Sequence, residues 1–280
     1  MSKTFQQVSS EENCLMVVDA LNLAFRWKHT GATDFAEDYL RTVDSLRKSY
    51  KARWVIIAAD QGSSSYRKEI YPDYKQNRKD KFAEQTEAER EAFERFFEDY
   101  QATLDYIRTN TPYPVIQFKQ TEADDIAAYI VQQIKKYPVD HTWLISSDKD
   151  WDLLVSEQTS RFSYVTRKEI TANNWHTHYD FPQESYISIK CLMGDTGDNV
   201  RGVEGIGPKR AQQLVEEYGT AIDIVANLPI SSKLKYIKTL NEQGDRILLN
   251  YRLMDLVSYC QDALGSNTAE INNTLTEYIK

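Results

Sequence analysis

The chain is short of cysteine, of histidine and of net positive charge. Three cysteines, Cys14, Cys191 and Cys260, lie far apart. Their odd number and spacing exclude a disulfide framework and a CxxC metal pair, and a reducing cytoplasmic setting is expected. Four histidines (His29, His141, His176, His178) do not pattern with the acidic residues. No apolar run approaches the roughly 20 residues that a membrane helix needs, so no membrane partner is expected. The polar start MSKTFQQVSSEENC does not resemble a secretory leader. Repeats, low-complexity tracts and Pro-rich linkers are missing. With 34 Lys and Arg against 42 Asp and Glu, the net charge of −8 at first argues against a nucleic-acid binder recognised by charge alone.

What is present reads as a folded α/β protein. Hydrophobic residues make up 41% and charged residues 27%, and 280 residues suffice for one large or two small domains. Three short apolar runs, CLMVVD (14–19), WVIIAAD (54–60) and TWLISSD (142–148), have the texture of buried parallel strands, and each ends in aspartate. PVIQF (114–118) is a fourth candidate. Helical spacing marks 35–50 and 123–136. Strands alternating with helices predict a mostly parallel central sheet with flanking helices, whose ligands sit beyond the carboxyl ends of the strands.

The expected organisation is a polar tail over 1–13, an α/β domain over 14–184 and a helical subdomain over 185–280, with about the last fifteen residues loose. Residues 41–81 hold 11 Lys and Arg against 5 Asp and Glu, whereas 84–105 hold 2 Arg against 8 acids. Solvated helix faces would explain both runs. The interleaved aromatics Tyr66, Tyr71, Tyr74 and Phe82 favour an exposed helical excursion whose basic half faces a polyanion.

Carboxylates recur where strands end: Asp19, Asp60, the TEADD group (Glu122, Asp124, Asp125), the SSDKDWD group (Asp148, Asp150, Asp152), and Asp195 and Asp198 in MGDTGDN. Helix-start capping, Thr121 with Asp124 and Ser147 with Asp150, would account for one or two per cluster. It does not account for several clusters on one edge, where like charges raise one another's pKa values unless cations offset them. Oxygen-only donors favour Mg²⁺ or Mn²⁺ over zinc. An EF-hand fails, since Leu153 stands where Gly belongs and Thr159 where Glu belongs. A dehalogenase-type phosphatase leaves Asp195, Asp198 and the basic run unexplained. Two carboxylate-held ions about 4 Å apart suit in-line hydrolysis of a phosphodiester.

GDNVRGVEGIGPKRAQQLV places Gly202, Gly205 and Gly207 before a helix near Pro208, with Lys209 and Arg210 following. It fits neither a Walker A loop nor a dinucleotide fingerprint. A G-h-G hairpin that grips a nucleic-acid backbone without reading bases remains, against a plain helix–helix turn.

The motifs VVDALN, YKQNR, TEADD, SSDKDWD and MGDTGDNVRGVEGIGPKR together resemble the flap endonuclease, or 5′-nuclease, family, nearest to its free-standing bacteriophage enzymes. The resemblance runs from VVDALNLAFR to LPISSKLKYI. It implies a helical arch over about 66–105 of the α/β domain, and a helix–three-turn–helix DNA-binding motif with its hairpin at 202–210. The implied activity is metal-dependent hydrolysis of DNA at 5′ ends and at flap/duplex junctions, in replication or repair.

By motif, the implied metal carboxylates are Asp19, Asp60, Glu122, Asp124, Asp125, Asp148, Asp150, Asp195 and Asp198, holding two or more Mg²⁺ with Mn²⁺ as a substitute. Lys75 and Arg78 resemble the arch cations on the scissile phosphate. Phe25 resembles a base-stacking residue. Gly202, Gly205, Gly207, Lys209 and Arg210 resemble the duplex clamp, and Lys235 a backbone contact. Asp152 is left as structural. The implied partners are DNA with 5′ flaps or ends, RNA primer/DNA hybrids and a polymerase acting in trans, for a monomer in the cytoplasm of an infected host. The rivals are a PIN-type ribonuclease and a DNA-junction binder without activity. Setting the nine carboxylates aside turns the net charge from −8 to +1, so the acidity no longer argues against a nucleic-acid partner.

Overall fold

The computed structural model describes residues 13–280; apart from Asn13, the polar tail lies outside the described residues. The strands are β1 (Cys14–Asp19), β2 (Ala52–Ala59), β3 (Val115–Gln117), β4 (His141–Ile145), β5 (Thr159–Ser163) and β6 (Lys168–Ile170). They form one sheet in the order β3-β2-β1-β4-β5-β6. All neighbours run parallel except the edge pair β5–β6. The helices are α1 (Ala20–Thr30), α2 (Ala36–Ser49), α3 (Ser65–Ile70), α4 (Gln76–Ala83), α5 (Glu87–Asn110), α6 (Ala123–Gln133), α7 (Tyr186–Met193), α8 (Pro208–Tyr218), α9 (Ala221–Ala226), α10 (Lys235–Glu242), α11 (Gly244–Met254), α12 (Leu256–Leu264) and α13 (Thr268–Tyr278). The mostly parallel sheet with helices on it is the expected fold class.

Packing divides the chain into two units. The first comprises the chain up to Ser64, Gln85–Asn174 and Leu256–Lys280; the second comprises Ser65–Glu84 and Trp175–Asp255. This division differs from a boundary at 184: α3 and α4 belong with the helical part, and the last 25 residues belong with the sheet.

In the first unit, side chains alternate across the sheet. Cys14, Met16 and Val18 of β1 meet α1, α2 and α5 through Trp27, Tyr39, Phe96 and Leu104. Leu15 and Val17 meet the opposite layer of α6, α12 and α13 through Ile126, Ile130, Cys260 and Leu275. Burial on both faces explains why these strands read as continuous apolar runs. β5 escapes that signature because its fully enclosed residues include Thr159, Ser160, Arg161 and Ser163. The expectation of a loose C-terminus is corrected: Ile271 and Leu275 are fully buried, so the last helix is part of the core.

The acidic run over 84–105 is the solvated side of α5. A Thr86–Glu89 capping box starts that helix, and Phe96, Tyr100, Leu104 and Ile107 form its buried stripe. In the second unit, Tyr74 is buried with Ile189, Leu192, Val203, Leu214 and Ile247, and Tyr71 packs against the same cluster. These aromatics anchor α3 and α4; they are not offered to a polyanion, which corrects that part of the expectation.

Leu275→Ala should destabilise the protein by about 3 kcal/mol, the usual loss for an enclosed leucine, read as a lower urea midpoint. A loose C-terminus would leave the midpoint unchanged.

Candidate active site

The first unit gathers carboxylates at the carboxyl ends of its parallel strands. Asp19 closes β1 and is 5% exposed. Its Oδ1 accepts the Asn22 N–H at 3.2 Å, which caps α1. Its Oδ2 accepts the Ser146 hydroxyl at 2.7 Å. Ser146 Oγ in turn accepts the Asp148 N–H at 3.0 Å, so one serine ties the end of β1 to the loop after β4. Asp148 Oδ1 accepts the Asp150 N–H at 2.9 Å and caps the short 3-10 turn Lys149–Leu154. Asp60 Oδ1 accepts the N–H of Ala123, the first residue of α6, at 3.2 Å. Glu122, 1% exposed, accepts the Ser64 N–H at 3.1 Å. Asp124 accepts the Trp151 indole N–H at 2.6 Å, and Asp125 is fully buried at the start of α6.

The expected capping pairs, Thr121 with Asp124 and Ser147 with Asp150, do not form; the acids Asp19 and Asp148 themselves are the caps. Glu122, not Thr121, stands at the α6 N-cap and gives no side-chain cap bond. Ser147 Oγ instead accepts the Val165 N–H at 3.2 Å. Asp152 does have a structural role: fully buried, it takes Arg161 in two-pronged fashion at 2.6 and 2.8 Å. Arg161, Ser146 and Ser64 were invisible as site-builders in the sequence. Only the N-cap spacing Asp19–Asn22 carried a readable signal.

Burial first, then the Asp60 and Asp148 charges, push the Asp19 carboxyl well above the usual carboxylate range, against the pull of Ser146 and Asn22. Among the described residues no three His, Cys, Asp or Glu side chains already stand in a metal-holding arrangement. Protein N–H and O–H groups occupy oxygens of Asp19, Asp60, Glu122, Asp124 and Asp148 instead. The donor chemistry nevertheless fits a hard divalent cation: only oxygens, with one buried carboxylate held against two like charges.

The second unit holds the remaining residues. Asp195 Oδ1 accepts the Gly197 and Asp198 N–H groups at 2.8 and 3.2 Å, and its Oδ2 lies 3.4 Å from Lys190 Nζ. Asp198 accepts Arg78 Nη2 at 2.6 Å and the Tyr74 hydroxyl at 2.9 Å, with Lys75 Nζ at 3.7 Å. Lys75 precedes α4 in a left-handed conformation, φ 56°, and its N–H donates to the Asp198 carbonyl at 2.9 Å. Lys75 and Arg78 are thus brought together, with Asp198 as their counter-ion.

The glycine segment forms a tight turn into α8. A Cβ on Gly202 would meet Met193 O at 2.1 Å, and Gly205 has φ +83°. A Cβ on Gly207 meets nothing. Gly207 caps α8 without a side chain, and Pro208 follows at the first turn. Arg210 Nη1 donates to Gly205 O at 2.5 Å and its guanidinium lies over Tyr236 at 4.5 Å; Lys209 and Lys235 are exposed. Phe25, in the first unit, stacks on Phe96 at 5.4 Å and packs against the core.

Asp19→Asn should raise the melting temperature of EDTA-treated protein at pH 7.5. The raised pKa means that the folded state holds this proton more tightly than the unfolded chain. Stability from the group is full below its ordinary value and is lost as pH rises through the raised one. The gain in melting temperature should therefore shrink towards pH 4; an equal gain at both pH values would contradict the electrostatic cause.

Comparison with known proteins agrees with this architecture. Family models match at residues 14–180 (5′-3′ exonuclease, N-terminal resolvase-like domain) and at 181–275 (5′-3′ exonuclease, C-terminal SAM fold). The flap endonuclease of Escherichia phage T5 is 41% identical, across 100% of this chain and 98% of that protein. A structure of the T5 5′-exonuclease with divalent zinc ions superposes with a TM-score of 0.91 at 41% identity, covering 96% of this chain and 100% of that one. The T5 flap endonuclease as a pseudo-enzyme–product complex with DNA and metal ions superposes with a TM-score of 0.89 at 41% identity, covering 95% and 99%. The sheet with its acid-tipped strand ends, the helical second part and the matches along the whole length converge: the chain belongs to the 5′-3′ exonuclease family and is a structure-specific 5′-nuclease.

Proposed function

We propose that the chain hydrolyses DNA at 5′ ends and at flap/duplex junctions, using two or more divalent cations, Mg²⁺ by preference and Mn²⁺ as a substitute. The observation that carries this is the gathering of Asp19, Asp60 and Asp148 at the sheet edge, where burial first and then its two acidic neighbours raise the Asp19 carboxyl. Asp19, Asp60, Glu122, Asp124, Asp125, Asp148 and Asp150 would hold ions on the first unit, and Asp195 and Asp198 on the second. Divalent cations there supply acidification of water and stabilisation of the leaving oxygen. The zinc and metal-ion complexes of the T5 enzyme support the cation, and its DNA complex supports the substrate.

The protein's own groups do the rest. Ser146 and Asn22 fix both Asp19 oxygens. Lys75 and Arg78 stabilise charge growing on the phosphate, and they reach it by exchanging Asp198 for a phosphate oxygen. The Gly202–Arg210 turn, the core of a helix–three-turn–helix, offers α8 N–H groups and Lys209 to a duplex backbone. Phe25 meets the terminal base and Lys235 a phosphate. The enzyme acts as a monomer beside a separate polymerase in the cytoplasm of an infected bacterium, with RNA primer/DNA hybrids as further substrates.

A labelled 5′-flap DNA incubated with Mg²⁺, Mn²⁺ or EDTA should yield sized products with either metal and none in EDTA; preferential cutting of RNA over the flap would favour a PIN-type ribonuclease. Asp148→Asn and Asp150→Asn should lower single-turnover cleavage by at least about 10²-fold, the scale of losing one charged stabiliser, while flap binding persists. Cleavage at the wild-type rate by both variants would remove this cluster from the chemistry. Lys75→Asn, chosen because asparagine tolerates φ 56°, should slow the bound reaction about 10²-fold with little change in flap affinity.

A further inference from the structure

A buried ion pair in the first unit lies beside the carboxylate edge without belonging to it. Asp152 is 0% and Arg161 3% exposed. Arg161 stands on β5 in register with Leu144 of β4, and Leu144 belongs to the apolar layer that includes Ile126, Trp151 and Leu154. The guanidinium works in two directions. Its Nε and Nη2 donate to the two oxygens of Asp152 at 2.6 and 2.8 Å, and its Nη1 donates to the Ser146 carbonyl at 2.9 Å. Asp152 lies in the acidic run SSDKDWD, yet both its oxygens are taken by Arg161, so it is not offered to a cation.

Stability is a poor reason for this pair. Taking two charges out of water is costly, and well-packed apolar residues of similar volume often serve a core as well or better. What apolar side chains cannot supply is the bond to Ser146. Ser146 is the first residue past β4, which ends at Ile145. Its N–H donates to the Phe162 carbonyl at 3.2 Å, and its own carbonyl accepts Arg161. Both backbone groups of Ser146 are thus held by neighbouring residues of β5. The peptide so fixed carries a hydroxyl with two tasks: it donates to Asp19 Oδ2 at 2.7 Å and accepts the Asp148 N–H at 3.0 Å. A continuous chain of hydrogen bonds therefore runs from Asp152 through Arg161 and Ser146 to two acids on different strand ends.

Outer partners that orient metal-binding carboxylates matter to a metal site about as much as 10- to 100-fold in affinity. We infer that Arg161, braced by Asp152, is a positioning residue for the divalent-cation site: it fixes the Ser146 peptide, and the Ser146 hydroxyl sets Asp19 and the Asp148 backbone for the ion. This rests on the metal-dependent nuclease reading and adds to it the groups that hold the site in shape. Neither Arg161 nor Asp152 touches the ion or the substrate.

The test is Mn²⁺ binding to EDTA-stripped protein, with free ion counted by electron paramagnetic resonance, beside a thermal melt of the same samples in EDTA. The variant is Asp152→Leu/Arg161→Met, which replaces both charges by apolar side chains at once. Its melting temperature should hold or rise, while the tightest Mn²⁺ site weakens about 10- to 100-fold. Ser146→Ala should weaken that site to a similar extent. In the Ser146→Ala background the double replacement should cost little more, because the two changes break the same chain. Unchanged Mn²⁺ affinity in the double variant would overturn the inference and leave the pair a packing feature. A full further loss in the Ser146→Ala background would overturn it as well, since the effect would not pass through Ser146. If the double variant does not fold, Arg161→Lys takes its place: it keeps a charge for Asp152 but lacks the fork that also reaches Ser146, and wild-type affinity in it would overturn the inference. Wild-type protein that binds no Mn²⁺ would instead defeat the metal-dependent reading itself.

Discussion

The whole first unit is organised around a concentration of like charge. A parallel sheet needs apolar strands, and each of its carboxyl ends then delivers a residue to the same edge. At β1 and β2 those residues are Asp19 and Asp60, Asp148 follows β4, and Asp19 is enclosed among them. Burial and two neighbouring charges oppose its ionisation, so the edge stands only because hydroxyl and amide donors hold it. Ser146 is the key donor, bonded to Asp19 and to the Asp148 backbone at once. An edge made this way stores electrostatic strain that a divalent cation relieves. Apolar side chains at these positions would make a more stable protein without that affinity.

The second unit solves the opposite problem. Its cations Lys75, Arg78 and Lys190 are kept at hand by Asp198 and Asp195. Tyr74 joins the two tasks, with its ring in the core and its hydroxyl on Asp198. The left-handed backbone of Lys75 and its bond to the Asp198 carbonyl fix where α4 begins. Charge is therefore sorted locally: acids at the sheet edge, and cations paired with Asp195 and Asp198 in the helical unit. A net charge of −8 averages over these patches and hides them.

Much of this was legible in the sequence where a single physical rule acted. β1, β2 and β4 announced themselves because burial on both faces leaves unbroken apolar runs, and their terminal aspartates gave the edge. Helix α6 followed from its spacing. β5 was not legible, since its enclosed polar residues are satisfied by the partners of Arg161 and Ser163, which only the fold supplies. The C-terminal helices read as loose because their apolar positions are sparse, yet Ile271 and Leu275 meet the far face of the sheet. Tyr71 and Tyr74 misled because an aromatic beside a lysine has the same composition in a core as on a binding surface. The site acids were found by type and place, while the donors that orient them come from distant segments and leave no periodic trace.

The account turns on the sheet edge being a divalent-cation site. Mn²⁺ titrated into EDTA-stripped protein at neutral pH, with free ion counted by electron paramagnetic resonance, tests it without DNA or turnover. Two or more ions should bind per chain to the wild-type protein, and fewer to Asp19→Asn. Wild-type protein that leaves all the Mn²⁺ free, or an Asp19→Asn variant that binds as many ions as tightly, would contradict it.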